Sequence, residues 1–219
     1  MERMAAVLVT SDPPGACPPG VDPAVFSLAL AEDVYEVVAG LELCEAAFAV
    51  DGDAELAERI AELTWPGTPV RTVRGPSPLR DAFGMLAGQG ARQAVVLAAD
   101  APDLPPLLVG KLFRALGTAE AAACPAFGGG LVALAARLPL PDWIGAASLD
   151  DPDALGALTA ARPARRALVA VPGWHRLRDP RDLAALDPGL EGWEATRMLL
   201  SARGGTGRAP HGSGSSGGG

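Results

Sequence analysis

The chain has very little lysine and few aromatic residues. Lys111 is the only lysine among 219 residues, and aromatic side chains make up 5% of the sequence. The formal net charge is −8, and no run of basic residues interleaves with aromatic ones. Because nucleic-acid binding depends on neutralising phosphates with cationic side chains, this composition argues against a nucleic-acid partner.

Cysteine and long apolar runs are also scarce. Cys17, Cys44 and Cys124 are odd in number and lack the spacing of metal ligands, which argues against a disulfide framework or a structural zinc site. No apolar run approaches the roughly 20 residues that span a bilayer. The N-terminal residues do not have the pattern of a signal peptide. We therefore expect a cytoplasmic protein without a membrane partner.

Short apolar runs alternate with helical patterns along most of the chain. Strands are predicted at 5–10, 45–50, 70–73, 93–99, 119–125, 131–135 and 168–171. Helices are predicted at 23–39, 54–63, 77–87, 105–116, 151–160, 181–186 and 191–203. This alternation is typical of an α/β fold with a mostly parallel sheet and helices on both faces. We predict one domain over 1–203 and a flexible, Gly/Ser-rich tail over 204–219.

The strongest local signal is the apolar run 93–99 followed by Asp100. Open α/β sheets bind ligands at the carboxyl ends of their central strands, and a carboxylate there can hold a divalent metal that bridges phosphates. The alternative is that Asp100 only closes a turn. Asp103 is predicted to cap the helix that begins near Pro105.

Three motifs carry a resemblance to a known family. Val95-Val-Leu-Ala-Ala-Asp-Ala-Pro-Asp-Leu104 resembles the Gly-Ser-Asp-x-Pro-Asp-Leu signature of a bacterial, glycosyltransferase-like family of the GT-A (nucleotide-diphospho-sugar transferase) superfamily. Ala123-Cys-Pro-Ala-Phe-Gly-Gly-Gly-Leu131 looks like its Gly-Pro-x-x-Asp-Gly-Gly-Tyr turn. Arg176-Leu-Arg-Asp-Pro-Arg-Asp-Leu183 is similar to its late Asp-x-Asp-Thr-Pro-x-Asp-Leu segment. The family is itself similar to the guanylyltransferases of phospholactate and molybdenum-cofactor biosynthesis.

The resemblance covers residues 4–187 and implies a fold, a ligand and a cofactor. The implied fold is a Rossmann-like, three-layer α/β/α GT-A domain. The implied partner is a nucleotide or a nucleotide sugar, and the implied cofactor is Mg²⁺ or Mn²⁺ held by Asp100.

The departures from the family pattern concern phosphate and metal binding. The family's first loop usually reads Lys-x-Pro-x-x-Gly-x-x-Lys-Thr-Arg-Leu, whereas residues 10–21 retain Gly15 and have no basic residue. Phosphate binding there would depend on backbone N–H groups, and the loop's prolines reduce their number. Arg176 and Arg178 stand where the family has two acidic residues that help to hold the metal, and Phe127 replaces the acidic residue of the glycine turn.

The candidate site residues each allow two interpretations. Gly15, Gly128 and Gly129 either give a nucleotide close access to the backbone or only form tight turns. Arg176 and Arg178 either replace the metal as phosphate-neutralising groups or mark an abandoned site.

His175 is the only histidine before the tail and a candidate general base, or else a structural residue. Its neighbour Trp174 either stacks on a base or packs against the edge of the sheet.

Two functions follow from these residues. The first is a glycosyl- or nucleotidyltransferase assisted by a metal at Asp100. The second is a catalytically inactive relative without a cofactor, which binds a nucleotide or a protein partner on the same scaffold. The second function is favoured by the first loop and by positions 176 and 178. The fold favours the first function, but fold alone does not determine activity.

Overall fold

A seven-stranded sheet forms the centre of the computed structural model, which describes residues 3–12 and 15–204. The strands are β1 (Arg3–Thr10), β2 (Glu45–Asp51), β3 (Val70–Thr72), β4 (Gln93–Ala98), β5 (Ala121–Pro125), β6 (Leu131–Arg137) and β7 (Leu168–Ala170). Their order across the sheet is β3-β2-β1-β4-β6-β5-β7. Strand β6 runs antiparallel to both of its neighbours, and the other neighbouring pairs are parallel. The prediction of a mostly parallel sheet is confirmed.

Six α-helices lie among the described residues. They are α1 (Pro23–Ala39), α2 (Ala54–Glu62), α3 (Pro78–Gly88), α4 (Pro106–Ala115), α5 (Ala154–Ala161) and α6 (Glu194–Gly204). Helices α1, α2 and α4 pack on one face of the sheet, and α3 and α5 pack on the other. The predicted three-layer α/β/α architecture is therefore confirmed.

Helix α1 has the bounds that its sequence predicts. The side chain of Asp22 accepts hydrogen bonds from the backbone N–H groups of Ala24 and Val25 at 2.8 and 3.4 Å. Pro23 occupies the first turn, where its missing N–H has no intrahelical partner to lose. These two residues fix where the helix begins.

The segment predicted as a helix at 181–186 takes the tighter 3-10 form, Pro180–Ala185. Asp179 and Asp182 form a reciprocal capping box at its start: Asp179 caps the first turn, and Asp182 accepts the backbone N–H of Asp179 at 2.8 Å. The same carboxylate of Asp182 accepts the N–H of Arg178 at 2.8 Å. The box therefore fixes the backbone just after the late motif.

Strand β4 lies in the middle of the sheet, between β1 and β6. Val95 and Leu97 enter the apolar core on one face, and Ala94 and Val96 enter the core on the other. All four side chains are fully buried. The prediction that this continuous apolar run is a central strand is confirmed, and Asp100 follows its carboxyl end.

A third apolar cluster joins the loop after β1 to the C-terminal part of the chain. Its buried members are Ala16, Phe26, Leu30, Leu177, Leu186 and Trp193. Ala16 belongs to the loop, and Leu177 lies between the two arginines of the late motif. This cluster holds the loop against the segment 176–178.

Helix α6 is attached to α1 through a buried carboxylate. Asp33 of α1 is 3% exposed, and its two oxygens accept the backbone N–H groups of Ala195 and Thr196, each at 2.9 Å. Burial raises the pKa of Asp33 to about 6, and the hydrogen bonds from Thr196 and Ala195 offset part of that rise. One side chain thus caps a helix far away in the sequence.

The predicted tail, 204–219, lies outside the described residues apart from Gly204, the last residue of α6. Within the described ranges, no helix has both the length and the apolar character needed to cross a lipid bilayer.

Candidate functional site

A cavity of about 610 Å³ opens where β1, β2 and β4 end. Its walls include residues 10–12 at the end of β1, 98–100 at the end of β4, 148–150 before α5, and 176–178 of the late motif. Four of the predicted site residues line it, namely Gly15, Asp100, Arg176 and Arg178. His175, Gly128 and Gly129 are not among the described residues that form its walls. The cavity lies where open α/β sheets bind their ligands.

The guanidinium of Arg176 is enclosed by oxygen atoms. Its Nε and Nη2 donate to the two carboxylate oxygens of Asp100 at 2.5 and 2.9 Å. Its Nη1 donates to the carbonyl oxygens of Leu131 and Leu149, each at 3.0 Å. Nη2 also lies 2.8 Å from a carboxylate oxygen of Asp150. Four of its five N–H groups thus donate to protein oxygens, and the second N–H of Nη2 has only this ion-pair contact with Asp150.

The surroundings of Arg176 keep its guanidinium protonated. The residue is 9% exposed, and burial by itself disfavours the charged form. The nearby carboxylates of Asp100 and Asp150 outweigh burial and raise the pKa of Arg176 above its usual value. The guanidinium is therefore a permanent cation between these two acids.

The residues around Asp100 do not fit a divalent metal. Both carboxylate oxygens of Asp100 accept hydrogen bonds from Arg176, and a metal ligated by them would lie beside its positive charge. Across residues 3–12 and 15–204, no three His, Cys, Asp or Glu side chains are grouped so as to hold a metal ion. The predicted role of Asp100 as a metal ligand does not agree with this arrangement, because a guanidinium occupies the cation position.

Arg178 lies beside this pair and is more accessible. Its Nη1 donates to the carbonyl of Gly129 at 3.2 Å, and its Nη2 to Leu149 at 3.2 Å and to Asp150 at 3.1 Å. The side chain is 32% exposed. Burial and the charge of Arg176 lower the pKa of Arg178. No hydrogen bond of its Nε to a described residue is seen, so this group and one N–H of Nη1 can bind a ligand.

The glycine turn 128–130 lies behind Arg178. The φ angles of its three residues are +89°, +108° and +78°, a region that favours glycine. A Cβ on Gly130 would lie 2.6 Å from the carbonyl oxygen of Leu149 and 2.9 Å from Nη2 of Arg178. Gly128 and Gly129 thus lie in a turn beside Arg178, to which Gly129 provides a carbonyl, and their contact with a nucleotide stays a prediction.

Gly15 allows the first loop to approach the late motif. A Cβ at this position would overlap the carbonyl oxygen of Arg178. The residue retained from the family's phosphate loop thus has a packing role in this chain, while it also lines the cavity.

Gly15→Ala is expected to destabilise the protein by about 1–3 kcal/mol, the usual cost of overfilling a packed contact. The first loop or the segment 176–178 must shift to make room for the methyl group. Chemical denaturation measures the effect. Gly84→Ala is the matched control, because a Cβ on Gly84, inside α3, has no neighbour within 4 Å. It should stabilise by roughly 0.5–1 kcal/mol. Equal effects at both positions would contradict the packing role of Gly15.

The prediction that Asp103 caps α4 is wrong. Pro105 holds the cap position of that helix without a side-chain hydrogen bond, whereas Asp103 is buried. Its Oδ1 accepts the indole N–H of Trp174 at 3.1 Å and lies 2.8 Å from Nε2 of His175. Tertiary partners from the late segment therefore compete successfully with the local cap.

His175 and Trp174 form a packed pair beside Asp103. Their rings stack with centroids 4.9 Å apart, and Trp174 packs against the core on the α1 side of the sheet. The short distance from His175 to Asp103 lacks the alignment of a hydrogen bond. Because His175 is not part of the cavity wall, its position supports the structural interpretation over that of a general base.

Sequence reasoning did not identify Asp150 or the carbonyl groups of Leu131 and Leu149. The sequence signal that could have pointed to an acidic partner was the charge reversal at position 176, because a buried arginine requires such a partner. Asp150 stands in the acidic stretch Asp150-Asp-Pro-Asp153, which precedes α5.

Comparisons with known proteins agree on the fold. No protein-family model matches the chain, and no curated protein matches its sequence. A protein classed as a candidate nucleotide-diphospho-sugar transferase from Desulfovibrio desulfuricans G20 is similar in structure. Its TM-score is 0.69 at 19% identity, over 92% of this chain and 96% of that one. The likeness extends to a CMP:2-keto-3-deoxy-manno-octonic acid synthetase in complex with CTP, with a TM-score of 0.58 at 11% identity over 93% and 100% of the chains.

A third similar structure contains a metal. It is a Mycobacterium tuberculosis H37Rv protein in complex with manganese, with a TM-score of 0.53 at 20% identity over 91% of this chain and 98% of that one. These similarities concern the fold and do not single out guanylyltransferases. The chain therefore has the Rossmann-like α/β fold of nucleotidyl- and sugar-nucleotide transferases.

Proposed function

We propose that this protein is a metal-independent relative of the nucleotidyltransferases that binds a nucleotide or nucleotide sugar without transferring it. The observation that carries the proposal is the position of Arg176. Its guanidinium binds both oxygens of Asp100 and contacts Asp150, at the end of the central strand.

The arrangement of charges opposes metal-assisted transfer. In phosphoryl and nucleotidyl transfer, divalent cations bridge phosphate oxygens and neutralise the charge that develops on them. Arg176 is poorly placed to take over that task, because four of its five N–H groups donate to protein oxygens and Nη2 also pairs with Asp150. The candidate base His175 contacts Asp103 instead of facing the cavity.

Ligand binding itself remains supported. The cavity is large enough for a nucleotide, since ligand pockets are commonly about 300–1,000 Å³. It lies at the ends of β1 and β4, and Arg178 presents donor groups on its wall. A similar structure was solved with CTP bound. An active transferase is the second candidate, favoured by the fold and by the position of this cavity.

The test is a thermal-shift and calorimetric screen of nucleoside monophosphates, nucleoside triphosphates and nucleotide sugars. Each ligand is measured with a chelator, with Mg²⁺ and with Mn²⁺. We expect at least one ligand to bind with the same affinity under all three conditions, because the cation of the site is a side chain. Release of pyrophosphate or of free nucleotide should stay at background.

Binding that requires Mg²⁺ or Mn²⁺ would contradict the proposal and favour the transferase. Failure of every nucleotide and nucleotide sugar to bind would also overturn it. Arg166→Gln is a suitable control for unspecific charge effects, since Arg166 is exposed and is not part of the cavity wall.

A further inference from the structure

The cavity has many acidic groups and little cationic capacity. Four carboxylates line it, those of Asp12, Asp51, Asp100 and Asp150. Two guanidiniums face them, and that of Arg176 already donates four hydrogen bonds to protein oxygens and pairs with Asp150. Among the described wall residues, Arg178 is thus the cation with the most donor groups left for a bound anion.

Arg178 can hold one phosphate group through separate donors. Its Nε and one N–H of Nη1 have no partner among the described residues, whereas both N–H groups of Nη2, the fork partner of Nε, donate to Leu149 and Asp150. The two remaining donors lie on opposite edges of the guanidinium, so each can donate a single N–H···O bond to a phosphate oxygen. Each additional phosphate would bring negative charge into a cavity whose wall already has two more acidic than basic groups. Salt at physiological concentration screens charges only beyond about 8–10 Å, so like charges within one cavity repel each other.

The rest of the wall favours hydroxyl groups. Ser11, Ser27 and Ser77 contribute hydroxyls, and Asp12 and Asp51 contribute carboxylates that can accept from a polyol. The hydroxyl oxygen of Ser77 is buried and has no hydrogen-bond partner among the described residues. Ser77 precedes α3 without capping it, so its hydroxyl remains available.

We propose that the cavity binds a hydroxyl-rich ligand carrying a single phosphate group, held by Arg178, and discriminates against di- and triphosphates. The shared chemistry is that of a nucleoside monophosphate and of a sugar phosphate. This inference rests on the proposed function, because it narrows the ligand class of the same cavity.

The experiment compares CMP, CDP and CTP by isothermal titration calorimetry in the presence of a chelator, with ribose 5-phosphate as a separate arm. This series keeps the nucleoside constant and changes only the number of phosphates. We expect CMP or ribose 5-phosphate to bind at least about tenfold more tightly than CTP, which corresponds to about 1.4 kcal/mol.

Two variants test the assigned groups. Arg178→Gln should weaken binding of the monophosphate by about tenfold or more, whereas Arg166→Gln should leave it unchanged. Because Arg178 also contacts the glycine turn, the melting temperature of the variant is measured alongside. Asp51→Asn removes a charge from a side chain with no hydrogen bond to a described residue, and it should reduce the preference for CMP over CTP several-fold.

The outcomes separate the two proposals. CTP binding as tightly as CMP would overturn the single-phosphate inference and leave nucleotide binding intact. Binding of ribose 5-phosphate with no nucleotide bound would overturn the proposed function and support the inference. A monophosphate affinity that is the same in Arg178→Gln as in the unsubstituted protein would exclude Arg178 as the phosphate ligand. Failure of all four compounds to bind would overturn both.

Discussion

Arg176→Ala is expected to lower the free energy of unfolding by about 3–5 kcal/mol, the cost of removing one partner from a buried ion pair. The substitution leaves the carboxylate of Asp100 without the guanidinium that binds both its oxygens, and it removes one donor each from the carbonyls of Leu131 and Leu149. Urea denaturation of the variant and of the unsubstituted protein measures the difference.

A second substitution tests whether the charge of Asp100 causes the loss. Asp100→Asn added to Arg176→Ala should recover part of the lost stability, because the remaining amide carries no charge. Arg181→Ala is the matched control, since the side chain of Arg181 is 93% exposed and, among the described residues, forms an ion pair only with Asp179. It should change stability by no more than about 0.5 kcal/mol. Similar values for Arg176→Ala and Arg181→Ala would show that the buried network is not structural.

The stability of the protein should also fall as the pH rises from about 4 to about 6, because of Asp33. Its pKa is about 6 in the folded protein against 3.8 as the reference value. A group whose pKa is raised on folding stabilises the protein below its unfolded pKa, and that contribution disappears as the pH rises through the folded pKa. With about 1.4 kcal/mol per pH unit, the change amounts to at most about 3 kcal/mol.

Asp33→Asn isolates this contribution from those of the other carboxylates. The variant cannot titrate at this position, so its stability relative to the unsubstituted protein should improve by up to about 3 kcal/mol between pH 4 and pH 7. Chemical denaturation at both pH values gives the two differences. A difference in unfolding free energy between the two proteins that does not change with pH would refute the raised pKa of Asp33. The amide can still accept from Ala195 or Thr196, which keeps α6 in place for the comparison.

Local features of the sequence were sufficient to predict most of the fold. The run 94–99 lacks polar residues, which is the pattern of a strand covered on both faces. Asp22 and Pro23 mark the start of α1 through their own chemistry, independent of the rest of the chain. The Asp103 prediction failed for the opposite reason. Its partners Trp174 and His175 are some 70 residues away, and nothing in the local sequence indicates that contact.

The site could be predicted only in part. Its place at the end of β4 follows from the topology, and Arg176 and Arg178 were identified as a charge reversal. The three partners of Arg176 other than Asp100 were not identified, because two of them are backbone carbonyls, which every residue has. The third, Asp150, precedes α5, and its approach to Arg176 depends on how the whole sheet is assembled. The role of Arg176 therefore becomes visible only in the three-dimensional structure.

The strands at both edges of the sheet are shorter than those between them. The two outermost strands, β3 and β7, have three residues each, whereas the strands between them have five to eight. Unpaired backbone groups on an edge strand are a template for strands from other molecules, and proteins that aggregate or swap domains often do so along such edges. An incoming strand would find few N–H and C=O groups here, and on β3 it would meet the exposed side chain of Arg71. We therefore expect the native fold to resist fibril growth at high concentration, even though its central strands are almost wholly apolar.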